Sequence, residues 1–192
     1  MKRVFRALSW ACAPLAGVAI GVSPAMAQPV TTLATSTLVP ALALPQGVQD
    51  LEIAKSLPGQ AAVDAASVRL LGEDANANYS VAQAGDGKQI CIIVQLRGAG
   101  AVGGSSCTTK EQFALSGVRV AVQENGGRAV VTYLLPADVD ATPLKISTGL
   151  IGKHVGNLIV QSDGFGGSTS VELNRLHSDV KYKFSNLPLA LK

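Results

Sequence analysis

The chain has 192 residues, 47% of them hydrophobic but only 4% aromatic, with a formal charge of +3. Lys2, Arg3 and Arg6 carry the whole of that excess, so residues 28–192 are neutral, and the basic charge of the full chain is no sign of nucleic-acid or anionic-membrane binding. The scattered aromatics, with Trp10 as the one tryptophan, argue likewise against a protein that stacks bases or sugar rings.

Residues 1–27 have the three parts of a cleavable secretory signal in the required order. Lys2, Arg3 and Arg6 form a positive start, Ala7 to Val22 is an uncharged apolar run, and Ala25-Met26-Ala27 offers a small-x-small cleavage pattern after Pro24. Cleavage is expected between Ala27 and Gln28. The run is shorter than the roughly 20 residues of a membrane span, and Pro14, Gly17 and Gly21 weaken it as a helix. No stable membrane insertion is therefore expected after cleavage. Cys12 leaves with the signal. Cys91 and Cys107 remain as an even pair in an oxidising compartment, where a disulfide is the expected state. Closing a loop of about 15 residues contributes about 3 kcal/mol through chain entropy.

Residues 28–47, uncharged and rich in Thr, Ala, Leu and Pro, read as a flexible lead-in or linker. The pattern from Val48 to Ser56 predicts a short helix with Leu51, Ile53 and Ala54 facing inward, ended by Pro58-Gly59. The β region begins at Val68–Leu71. Asn78–Ala84 and Lys88–Leu96 flank a Gly85-Asp86-Gly87 turn. Ile90–Val94 is continuously apolar, as in a strand buried on both faces. Gly98 to Ser106 reads as a glycine-rich surface loop pinned at Cys107. Thr108 or Thr109 caps a short helix through Leu115, with Gly117 past its end. Val118, Val120 and Val122 alternate with Arg119, Ala121 and Gln123. Asn125-Gly126-Gly127 turns the chain into a partner strand, Ala129–Leu135. Beyond Pro136, strands are expected at Leu144–Ser147 and Val155–Gln161. A further strand, Thr169–Leu173, returns after an Asp163–Gly167 turn, and one at Val180–Phe184 buries Val180, Tyr182 and Phe184. Residues 48–192 thus predict a single mainly β domain, an antiparallel sandwich or curled sheet with one or two short helices.

The motifs that suggest chemistry are weak. Gly98-x-Gly100-x-x-Gly103 matches a dinucleotide fingerprint, with Glu124 beyond it, but no βαβ unit follows. Asp163 to Ser168 faintly resembles a nucleophile loop. His154 and His177 are the only histidines that could serve it, with Asp138, Asp140 and Asp179 as the acids. Asp86, Glu73-Asp74 and Asp138-x-Asp140 are acids in turn sequences without the converging oxygens a Ca²⁺ site needs. No catalytic, cofactor or metal set is expected.

One resemblance spans about residues 50–140. It is carried by Asp64-Ala-Ala-Ser-Val-Arg-Leu-Leu-Gly72, Tyr79-Ser-Val-Ala-Gln83, Ile90-Cys-Ile-Ile-Val94, Gly103-Gly-Ser-Ser-Cys107, Phe113 with Gly117, and Tyr133-Leu-Leu-Pro-Ala-Asp-Val139. In this order the segments resemble a loose group of exported actinobacterial proteins of unknown function. The chain departs from that group at Ala137-Asp138, where the group has Asp-Gly. The resemblance implies an exported domain with a cysteine pair and carries no activity with it.

The expectation is a non-enzymatic secreted or cell-envelope interaction domain whose partner is a protein or another envelope component, with no cofactor and no nucleic acid. Two alternatives are a secreted enzyme (protease) inhibitor presenting the Gly98–Ser106 loop, and a hydrolase with an unrecognised site.

Overall fold

A computed structural model describes residues 34–57, 63–98, 103–124, 129–144, 152, 156–162 and 170–185. The Ala27–Gln28 cleavage position, His154, and the turns at 125–127 and 163–167 lie outside the described residues.

Among the described residues there are nine strands, most of them alternating or continuous apolar runs. β1 (Arg69–Glu73), β2 (Ala77–Ala84), β3 (Gln89–Leu96) and β4 (Gly103–Thr109) form one antiparallel sheet in chain order. β5 (Val118–Gln123), β6 (Ala129–Leu134) and β7 (Leu158–Ser162) form a second, and β8 (Ser170–Arg175) and β9 (Ser178–Ser185) a two-stranded third. The described residues also form α1 (Thr35–Leu38), α2 (Val48–Ser56) and α3 (Lys110–Ser116). The fold is mainly β and antiparallel, as the sequence predicts.

The layers follow from which strand faces are apolar. Tyr79, Val81, Ile90, Ile92 and Val94 from the first sheet meet Val118, Val120, Val122, Val130 and Val160 from the second, with Phe113 of α3 between them. The opposite face of β6 and β7 holds Val131, Tyr133 and Ile159. The β8–β9 hairpin covers it with Leu173, Tyr182 and Phe184; the Tyr133 and Phe184 rings meet edge-on at 5.0 Å. All six β6 residues are consequently buried. The outer face of the first sheet is covered in part by α2, where Ile53 packs with Val68, Ala82 and Ile93.

The β2–β3 connection matches its turn sequence: Gly85, Asp86 and Gly87 all have positive φ, from 54° to 75°. Thr109 caps α3 by accepting from the Gln112 N–H. Gly117 ends the helix at φ 65°, where a Cβ would lie 2.5 Å from the Leu134 carbonyl oxygen.

Several expectations need correction. From Ala34 onward the lead-in docks on the domain: Leu38, Val39 and Ala41 are buried in the main core, and the Ala137 N–H donates to the Leu38 carbonyl at 2.9 Å. Leucine and valine in an uncharged segment gain more by docking than by remaining in water. On α2, Leu51 points outward at 46% exposure, because a nine-residue helix lying on a sheet buries only a narrow stripe through Ile53. Leu144 closes a 3₁₀ turn rather than opening a strand; residues 145–147 of that expected strand are outside the described set. β8 pairs with β9 and not with β7, since its apolar residues cover the face of the second sheet instead of extending its edge. Val180 is 69% exposed, so the inward face of β9 starts at Tyr182.

Candidate functional site

The largest correction bears on function. Residues 103–106, expected in a loop, belong to β4, a seven-residue strand at the edge of the first sheet. Its inward positions Gly104, Ser106 and Thr108 are small because β5 lies close behind. A Cβ on Gly104 would sit 2.7 Å from Val122 Cγ2. With no large apolar residue to alternate, the strand looks like a loop in sequence.

Cys91 and Cys107 are direct cross-strand partners and form the expected disulfide, with Cα atoms 4.0 Å apart. That short separation marks a pair of residues that do not exchange backbone hydrogen bonds with each other. Lys110 shows the same alternation one step further on: its N–H donates to the Lys88 carbonyl. Even-numbered β4 residues therefore bond to β3, while Gly103, Ser105, Cys107 and Thr109 turn their N–H and C=O groups to the free edge. All four are exposed. Helix α3 takes the Thr109 carbonyl into its first turn; outside the helices and strand ladders, no backbone hydrogen bond among the described residues reaches the other outward groups. The disulfide fixes the strand from the other side: Cys91 is fully buried in the sheet, and Cys107 lies at the surface.

The start of the opposite edge of the same sheet is covered by α2 and the segment before it. Asp50 Oδ1 accepts the Leu70 N–H at 2.7 Å, and Asp50 Oδ2 takes the Gly47 N–H at 2.7 Å. Gln46 Nε2 donates to the Ala65 and Val68 carbonyls, and Arg69 Nε donates to the Leu44 carbonyl at 2.8 Å. An open groove of about 850 Å³ runs beside this covered edge, lined by Leu44, Val48, Leu70, Asp50, Arg69 and others. Asp50 and Arg69 in its wall are already engaged in the bonds above, and among the described residues no Ser, Cys or His lines it.

The acids raised by the sequence serve local structure. Asp74 Oδ1 accepts from the Asn76 and Ala77 N–H groups, at 2.7 and 2.8 Å, and Oδ2 accepts the Tyr79 hydroxyl at 2.7 Å. Burial first, and Asp74 second, push the Tyr79 phenol well above its ordinary range. Glu73 pairs with Arg97, which also holds Asn78. Asp138 pairs with Arg175 at 2.6 Å, and Asp140 accepts the Thr142 N–H. Asp86 sits in the β2–β3 turn. Among the described residues, no group of three or more His, Cys, Asp or Glu could hold a metal.

The nucleotide fingerprint does not assemble. Gly103 lies inside a strand where that motif needs a helix start. His177 is exposed at the β8–β9 turn and has no hydrogen-bonded Ser or acid among the described residues. The inhibitor loop loses Gly103 to Ser106 to β4; residues 99–102 lie outside the described set. No described helix is long and apolar enough to cross a membrane.

Comparison with family models, with curated proteins and with solved structures finds no match to this chain, so the open, disulfide-braced edge of β4 is the feature on which a functional reading rests.

Proposed function

We propose that the chain is an exported, non-enzymatic interaction domain of the cell envelope or extracellular space, and that it lends the free edge of β4 to an extended polypeptide. The proposal of export rests on the signal-like residues 1–27 and on the disulfide, which persists in oxidising compartments. Membership of the exported actinobacterial group belongs to the same proposal. The single observation that carries the interaction reading is the row of outward backbone groups at Gly103, Ser105, Cys107 and Thr109. Such a row is a template for strand addition, in which main-chain hydrogen bonds supply affinity and adjacent side chains supply selectivity. Natural edges are usually blunted by charge, proline or a covering element; β4 has no charged residue and no proline.

The test is affinity capture from culture supernatant and cell envelope with the intact protein and with Ser105→Pro. Proline there removes an outward N–H that β3 does not use, so the fold is retained. The reading predicts a polypeptide that comes down with the parent protein and is lost with the variant. Equal capture by both would contradict it.

A further inference from the structure

Resting on β4 as a pairing edge, we infer that the extended polypeptide it receives is β4 of a second copy, joined about a two-fold axis at Ser106. Antiparallel pairing in this register places Gly103 opposite Thr109 of the other copy and Ser105 opposite Cys107. Every outward-facing residue then meets another outward-facing residue, so the outward groups of the strand find partners, apart from the Thr109 carbonyl that α3 already takes. The arrangement is isologous: one patch serves as both halves of the interface.

Three features of the chain favour this occupant. The strand Gly-Gly-Ser-Ser-Cys-Thr-Thr has no charge, so it meets its own copy without the like-charge repulsion that charged edges impose. The first cation after the strand, Lys110, follows it at one end only. Antiparallel pairing keeps the two Lys110 residues at opposite ends, roughly 27 Å apart at 3.4 Å per residue; parallel pairing would put them side by side. The disulfide holds β4 in its paired conformation before association, which lowers the ordering cost.

The covered start of the β1 edge determines the size of the assembly. Joining β4 to β4 merges two four-stranded sheets into one of eight strands, with β1 at each end. At both ends Asp50 caps the Leu70 N–H of β1, and Gln46 holds the Val68 carbonyl just before the strand. Association therefore stops at two copies, where an uncovered edge would continue into a fibre.

Sedimentation equilibrium on the protein purified with its disulfide intact tests this. A reversible monomer–dimer equilibrium with no larger species is expected. Ser105→Lys, which puts a charge on the exposed side of the edge, should weaken the dimer at least tenfold, and Gly103→Lys, at an exposed position with room for a side chain, is a second variant of the same kind should the first misfold. Val180→Asp, on β9, should leave the dimer unchanged, and Asp50→Ala should produce species beyond the dimer. A protein that stays monomeric at every concentration, or a dimer indifferent to both lysines, overturns the inference. A monomer that still captures a different polypeptide through β4 sinks the second copy alone and leaves the edge reading standing.

Discussion

At the residue scale, Arg175 does the most to fix the third layer in place. Its Nη1 donates to Asp138 at 2.6 Å, its Nη2 donates to the Ala114 carbonyl, and its guanidinium lies 5.4 Å from the centre of the Tyr182 ring. One side chain thus ties β8 to α3, to the segment after β6 and to β9. Arg175→Ala should cost about 2 kcal/mol in urea unfolding, since it leaves a part-buried carboxylate and carbonyl without their partner. An unchanged midpoint would mean the contacts are ornamental. The buried tyrosines predict an alkaline limit. Burial pushes the Tyr182 phenol up to about 12, against the downward pull of Arg175, and Tyr79 goes higher still. An unfolded tyrosine ionises near 10. The folded state therefore holds protons that the unfolded state releases above pH 10. Stability is full below that value and falls as pH rises from 10 towards 12, by up to about 1.4 kcal/mol per pH unit for each tyrosine. Guanidinium midpoints at pH 8, 10 and 11 should show the decline beginning near 10, and Tyr182→Phe should halve its slope.

At the element scale, the disulfide and the two edges of the first sheet set what the molecule can do. Reducing the Cys91–Cys107 bond, or replacing both with Ala, should cost about 3 kcal/mol. It should also raise hydrogen exchange in β4 before the β2–β3 core responds, because β4 is bonded on one side only. Uniform loss across the sheet would contradict that order. This element also shows where sequence reasoning stops. The Val118–Val122 alternation, the Ile90–Val94 run and the Thr109 and Gly117 helix limits are legible, since each carries a local period or cap. β4 is not legible, because its inward residues are small for a non-local reason: the closeness of Val120 and Val122 at Gly104. The covering of the start of β1 is equally hidden. Asp50 and Leu70 lie twenty positions apart, and nothing in either segment announces their contact.

At the scale of the whole molecule, two sheets and a hairpin stack into layers with β6 buried between two cores. The class of fold follows from strand periods and turn residues. The stacking of β8–β9 on a sheet face does not, since Tyr182 and Phe184 show that one face is buried but not against what. The cysteine pair of the candidate site was visible as a pair; the open edge it braces became visible only through the register that sets Cys91 against Cys107. That alternation is the central claim, and residue-resolved amide hydrogen exchange in dilute solution tests it most directly. Gly104, Ser106 and Thr108 should exchange slowly, bonded to β3, while Ser105 and Cys107 exchange fast despite lying in the same strand, and slow down when β4 is paired. Equal protection along all of Gly103–Thr109 in dilute protein would mean the edge is already covered, and would contradict the account.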